Sequence, residues 1–457
     1  MPITSIRDNT VQQGGATNPA GYDNSVASVK MSRLTEEAYI ERFRDVTDFN
    51  VLDQAPISLS AGEESTFKIN NIGFLKSTKA EVNGSFTITA SGATTIEVPN
   101  DFPFNIISRV VSQFNGGTTT HSATPYNLFA LDLKRNKGKK FEDYERTASA
   151  ITTTSSVALS AINGYLNKAI SSDLLNLNIT GIGTPTFTVQ SGKYNSLTGI
   201  TAITMANGQS LTFNFTLTIP INYTYSDSLL YGLIPLQNNS VFLETKLIAN
   251  TVISSYYSSC LYADSTSRAN VAVSAYNVNV IPHNEFFSVP SVTDGGVELY
   301  SELIRYNYII TDQNITVNSS APDDALSYII PNNSYLSSIL LTVRNASTKK
   351  LQEIKGLLEK VFIDYNGTAV VRKNTVNYDL MKFATQYDGG LPFGFGQFLK
   401  DFANIGGTEN SGVWADFLDL YSANSPTLKS GVTLPSGNPV DVLITREMVV
   451  PTSVNVI

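Results

Sequence analysis

Arg109-Val110-Val111-Ser112-Gln113-Phe114-Asn115-Gly116 has an echo late in the chain. It is Lys360-Val361-Phe362-Ile363-Asp364-Tyr365-Asn366-Gly367, at an offset of 251 residues. In both, an apolar run ends in Asn-Gly and a second strand-like run follows. Asn-Gly accepts positive φ at both central positions of a type I′ turn, so Asn115-Gly116 and Asn366-Gly367 each mark a β-hairpin. Tyr126-Asn127-Leu128 then matches Tyr378-Asp379-Leu380 at an offset of 252. Upstream, Ala61-Gly62-Glu63-Glu64 matches Ala321-Pro322-Asp323-Asp324, and Phe74-Leu75-Lys76-Ser77 matches Tyr335-Leu336-Ser337-Ser338. A spacing of this size exceeds solenoid repeat periods and implies two copies of a whole domain.

The flanking sequence is β in character. From Leu211 to Ile221, the residues Leu211, Phe213, Phe215, Leu217, Ile219 and Ile221 alternate with Thr, Asn and Pro220. Period two places one face of a strand in a core and leaves the other outside it. Pro220 then requires a sheet edge. Val241, Leu243 and Leu247 repeat the pattern, as do Ile339 to Val343, Val361 to Tyr365 and Val440 to Val449. After each hairpin comes a helix signal. One is Pro125 to Leu133, with Thr124 as cap; the other is Asn377 to Tyr387. Asn239-Ser240-Val241 resembles Asn438-Pro439-Val440 at an offset of 199, which leaves the first copy 52 residues longer than the second. Residues 147–209, rich in Ser, Thr and Gly, are the expected inserted loop, facing outward. Pro282, Pro290 and Asp294-Gly295-Gly296 punctuate the junction.

Residues 1–31 lack periodicity and read as a mobile arm. A short amphipathic helix is expected over 32–46, with Ser32 as N-cap and Leu34, Ala38, Phe43 and Val46 on one broad face. Arg33, Arg42 and Arg44 are its cations, the last two complementing the helix dipole.

Composition narrows the class. Charged residues are 15% of the 457-residue chain, against about 25% in typical globular proteins. Aromatics at 10% exclude disorder. Low charge suits a protein whose flanks are covered by neighbours, because interface cores are depleted in charge. A net charge of −8 argues against specific nucleic-acid binding. One cysteine, Cys260, allows no internal disulfide, and the polar N-terminus lacks the apolar stretch of a secretory signal.

Catalytic equipment is sparse. His121 and His283 are the two histidines, in different copies, and a lone His121 in a Thr-rich strand reads as solvated. There is no zinc or calcium motif, and no metal, catalytic or cofactor-binding residue is assigned. The acid pairs Glu63/Glu64, Asp323/Asp324 and Asp416/Asp419 suit turns better than glycoside hydrolysis. Lys134, Arg135, Lys137, Lys139 and Lys140 form the densest charge. It reads as a solvated helix end, with contact to lipid head groups or an acidic neighbour as the functional reading.

Two tandem β domains, each with a helix after an internal strand pair, behind an arm with an amphipathic helix, resemble a known family. It is the double jelly-roll major capsid proteins of tectivirus-like tailless phages with an internal membrane, related more distantly to adenovirus hexon. The segments that carry the likeness are Ile72-Gly73-Phe74-Leu75, Ile107-Ser108-Arg109-Val110-Val111, the first hairpin, the helix near Tyr126, Phe213 to Pro220, and Tyr225-Ser226-Asp227-Ser228-Leu229-Leu230. The insertion at 147–209 departs from the pattern.

The resemblance implies an all-β fold of two tandem eight-stranded jelly-roll sandwiches, each with a short helix in an inter-strand connection, plus the N-terminal arm. The expected divisions are the arm (1–49), a first jelly roll (50–285) and a second (286–457). It further implies a structural capsid protein, not an enzyme, that forms pseudo-hexagonal homotrimers tiling an icosahedral shell. Implied partners are neighbouring capsomers, penton and minor capsid proteins, and internal membrane lipids met by the arm. The implied location is the virion, after synthesis in the host cytoplasm. On that reading, removal of residues 1–48 leaves a folded trimer but impairs shell assembly. The alternatives are a secreted or surface carbohydrate-binding adhesin and a β-sandwich glycosidase.

Overall fold

The structure is a computed structural model. It describes residues 38–135, 154–169, 175–190, 197–225, 230–352, 354, 356–364, 370–376, 396–401, 417–421 and 423–451. In chain order the first half gives β1 (Phe49–Asp53), β2 (Ile57–Ser58), β3 (Glu64–Asn70), β4 (Gly73–Ala90), β5 (Thr94–Glu97), β6 (Ile107–Phe114), β7 (Thr118–Ala123), β8 (Thr154–Ala158), β9 (Leu175–Ile182), β10 (Thr186–Gln190), β11 (Ile200–Met205), β12 (Ser210–Asn222), β13 (Ile234–Leu236), β14 (Phe242–Ala249), β15 (Ile253–Ser254), β16 (Leu261–Tyr262) and β17 (Val271–Phe287). The second half gives β18 (Tyr306–Val317), β19 (Ala321–Ile329), β20 (Tyr335–Asn345), β21 (Leu358–Asp364), β22 (Val370–Thr375), β23 (Gln397–Asp401), β24 (Leu418–Asp419), β25 (Thr427–Val432) and β26 (Val440–Pro451).

The duplication is visible in strand order. In the first half, β1-β17-β4-β12 lie side by side, and β3-β14-β6-β7 form the facing path. In the second, β18-β26-β20-β23 face β19-β25-β21-β22. The two halves correspond strand for strand. Each is a jelly roll, in which hairpins wrap so that sequence-distant strands become neighbours. Alternation drives this. In β12 the inward residues Leu211, Phe213, Phe215, Leu217 and Ile219 are buried, and Phe86 of β4 stacks on Phe213 with ring centroids 4.9 Å apart.

The first roll departs from the eight-strand expectation. It adds β9 beside β12, together with a separate sheet in the order β15-β16-β5-β11-β10-β8. The segment expected as an inserted loop therefore supplies β8 to β11 and the helix Leu159–Ala169. Leu175, Leu177, Ile179, Phe187, Val189, Ile200 and Ile203 alternate into the core there, a period that the surrounding Ser and Thr obscure.

One sequence match and the place of the junction differ from expectation. Asn239 and Asn438 are not equivalent, because Asn239 precedes β14 whereas Asn438 precedes β26, the counterpart of β17. An Asn followed by a β-branched run marks any turn-to-strand step and carries no register. Pro282 lies inside β17, opposite Ala80 of β4, and the connection between rolls runs over residues 288–305. Pro220 pairs with Lys79 of β4 and lies beyond Leu217, the last residue paired with β9, so among the described residues it has one strand neighbour.

Candidate functional site: the seam between the rolls

The two rolls share a sheet. β7 pairs in parallel with β18, with Ile310 opposite His121 and Thr311 opposite Ser122. This joins β3-β14-β6-β7 to β18-β26-β20-β23 as one nine-stranded sheet with β24. The helix Pro125–Arg135 leaves β7 at the seam, with Thr124 as its cap and Pro125 at its first position. The second roll completes that cap. Asp312 of β18 accepts the Thr124 backbone N–H at 2.9 Å and the Thr445 hydroxyl at 2.6 Å. An acid at a helix N-terminus is favoured by the exposed N–H groups and the helix dipole.

One turn into the helix, Asn127 is 1% exposed. Its amide nitrogen donates to Thr445 Oγ1 at 2.8 Å. Its oxygen accepts from Thr342 Oγ1 at 3.2 Å and from Gln397 Nε2 at 3.0 Å. A first-roll side chain thus meets three strands of the second: β20, β23 and β26. Burial pushes the Asp312 carboxyl up to about 6, against the opposing pull of Thr445, Thr124, Arg109 and Arg344.

His121 is not solvated. It is 0% exposed, edge-on to the rings of Tyr223 and Tyr308, and burial pulls it down to about 3, so it is neutral. The Thr-rich strand looked polar, but β18 and β12 cover it. His283 lies at the surface between two carboxylates, with Nδ1 2.7 Å from Asp53 and Nε2 3.0 Å from Glu81. Burial works against its protonation, yet the two carboxylates outweigh it and hold the imidazole above its ordinary range.

The duplication persists at side-chain level. Ser77 donates to Glu285 at 2.5 Å, and Ser338 donates to Glu447 at 2.6 Å. Ser77 and Ser338 stand at the same place in β4 and β20, each beside a register shift against the final strand of its roll. Glu285 and Glu447 lie 162 residues apart, so the 251-residue offset of the hairpins does not relate them.

The predicted site residues fall out as follows. Residues 38–45 are helical, but the buried face is Tyr39, Ile40 and Phe43, while Ala38 is exposed and Val46 half-buried. Phe43 packs edge-on to Phe74, Phe287 and Tyr300 at 5.0–5.9 Å. The apolar face of this helix is thus occupied by the protein's own core, and Phe43, expected in an assembly or membrane-facing arm, is 0% exposed in this chain. Arg42 pairs with Asp294 at 3.3 Å, and Arg44 is on the exposed side. Arg33 and Leu34 lie outside the described residues.

Asn115 (φ 50°) and Gly116 (φ 67°) form the expected turn between β6 and β7, and Asn115 Oδ1 also accepts the Phe242 N–H at 2.9 Å. β21 and β22 pair as the second hairpin, with Asp364 opposite Val370; Asn366 and Gly367 lie outside the described residues. Of the basic run, Lys134 and Arg135 end the helix Pro125–Arg135, whereas Lys137, Lys139 and Lys140 lie outside the described residues, as do Asp416 and the whole of the expected second helix, 377–387. Asp323 and Asp324 stand within β19, not before it as Glu63 stands before β3. Among the described residues no cluster of three or more His, Cys, Asp or Glu is placed to hold a metal ion, and no helix is long and apolar enough to cross a membrane.

The strand order, its repetition and the shared sheet define the double jelly-roll class, and solved structures similar to this chain carry that fold. The STIV major capsid protein crystal structure matches with a TM-score of 0.52 at 12% identity, over 88% of this chain and 97% of that one. A chain of the Sulfolobus Turreted Icosahedral Virus particle matches at 0.53 and 12%, over 88% and 91%. The Faustovirus major capsid protein matches at 0.51 and 11%, over 98% and 97%. No family model matches the sequence, and no curated protein matches it. The fold of this chain is the double jelly roll of major capsid proteins.

Proposed function

We propose that this chain is the structural subunit of an icosahedral virus shell and assembles as a pseudo-hexagonal homotrimer. The observation that carries the reading is the repeated strand order joined by one continuous sheet. Two like rolls are held side by side by a shared sheet, so three chains would present six similar rolls around one axis. The side chains at the seam belong to packing and hydrogen bonding, which suits a mechanical role.

In this reading residues ahead of 38, Arg33 and Leu34 among them, contact neighbouring capsomers, minor capsid proteins or membrane lipids on the inner side. The basic residues from Lys134 to Lys140 are a second contact patch, and the added strands near 147–209 build outward surface. The test is the solution mass by light scattering, with negative-stain images of the same sample. A particle of three 49.6 kDa chains with a hexagonal outline is the expected result. A persistent monomer that binds glycans would overturn it in favour of an adhesin.

A further inference from the structure

The internal symmetry singles out one bare surface. Val51 of β1 pairs with Glu285, and Ile310 of β18 pairs with Glu447, the two equivalent glutamates. Asp53 stands opposite His283 as Asp312 stands opposite Thr445. Phe49, Val51, Leu52 and Asp53 therefore occupy the places of Tyr308, Ile310, Thr311 and Asp312.

The two strands differ in what covers them. Tyr308 and Ile310 are 2% and 3% exposed under β7, whereas Phe49, Val51 and Leu52 are 50%, 57% and 42% exposed. β1 ends its sheet, with β17 on one side and, among the described residues, no strand on the other. An apolar edge with no lysine or proline is a template for pairing and is normally protected.

We infer that β1 is the docking strand for a second copy of this chain, which lays its β22 parallel to β1 and so repeats between chains the seam that β7 and β18 make within one. The inference rests on the trimer reading above and assigns its interface. β22 is the counterpart of β7: among the described residues it ends its sheet, and it is reached through β21 as β7 is through β6. Val361 pairs with Asn374 as Val110 pairs with Ala123, and the same offset of 251 sets Lys373 at the place of Ser122 and Thr375 at the place of Thr124. Charge agrees, since exposed Asp48 and Asp53 flank the apolar part of β1 and β22 carries Arg372 and Lys373.

Asp53 then does for the second copy what Asp312 does at the seam, accepting the Thr375 backbone N–H. Its carboxylate is already held 2.7 Å from His283, and its side chain is 66% exposed. The contact is head-to-tail, because β1 and β22 belong to different rolls whose other flanks meet at the seam. Such a contact gives a ring when its rotation closes, and the trimer reading requires that closure.

Cysteine cross-linking in the full-length protein tests this. Facing positions in neighbouring strands lie within disulfide reach, and the native Cys260 is 0% exposed. Leu52→Cys with Lys373→Cys should give a covalent trimer under mild oxidation. Leu52→Cys alone, and Leu52→Cys with Ser327→Cys on the far edge strand β19, should not. Val51→Lys, at an exposed position, should weaken the trimer at least tenfold while leaving the circular dichroism spectrum unchanged. A wild-type trimer in which the 52/373 pair stays uncrosslinked, or in which Leu52→Cys alone links into dimers, overturns the inference and leaves the trimer standing. A wild-type chain that never associates removes both.

Discussion

Replacing Asn127 with alanine tests whether the seam is a designed lock or a passive contact. Its side chain makes three hydrogen bonds to the second roll at 2.8, 3.2 and 3.0 Å. A hydrogen bond contributes about 0.5–1.5 kcal/mol net, and a buried donor left unmet costs about 1–3 kcal/mol. Truncation removes all three bonds and strips the Gln397 amide of its shortest contact in a site closed to water. The expected cost is about 3–5 kcal/mol.

The assay is urea unfolding of the full-length protein, read by near-ultraviolet circular dichroism, with proteolysis across residues 288–305 reporting separation of the rolls. A double-mutant cycle with Thr342→Val should return a coupling of about 1 kcal/mol, because the two side chains share a bond. A cost below about 1 kcal/mol, with a strictly additive cycle, would refute the lock.

Other expectations follow from the same geometry. Asp312 is raised from 3.8 to about 6, so its contribution favours folding in acid and is lost as pH rises through about 6. Asp312→Asn should remove about 3 kcal/mol of pH-dependent stability over that window, read from melts at stepped pH. His121 is lowered from 6.5 to about 3, so its contribution is present above 6.5 and is lost as pH falls through about 3; His121→Phe should flatten the acid limb of the same curve. Phe43→Ala should cost about 3–5 kcal/mol by opening a cavity among aromatic rings, whereas cutting the chain before residue 38 should leave the melting temperature unchanged. Gly116→Val should cost about 1–3 kcal/mol through backbone strain alone, since nothing lies within 4 Å of the added Cβ. An unchanged melt would remove the turn argument.

The corrected arm changes one expectation outright. Deleting residues 1–48 takes away Tyr39, Ile40 and Phe43 and uncovers Phe74, Phe287 and Tyr300. Such a chain should melt early, so it no longer separates an assembly role from a folding one. The helix reading placed Ala38 and Phe43 on one face by spacing alone. Only packing shows that Tyr39 and Ile40 share the buried face with Phe43.

The sequence by itself determined the β class, the first hairpin, the capped helix after it and the fact of duplication. These are local properties. Positive φ at Asn115 and Gly116, proline at a first helical turn and period-two alternation act within a few residues, so composition and spacing report them. It misjudged residues 147–209, because short strands in Ser- and Thr-rich sequence give a weak periodic signal that only the edges of β5 and β12 convert into sheet.

The tertiary structure alone decided what meets at the seam. His121 became buried, Asp312 became a helix cap and Glu285 became the twin of Glu447 through pairings between strands far apart in sequence. Which edge of a sheet is covered depends on the strand that arrives there, and nothing in β1 or β18 taken singly says that one is hidden and the other bare.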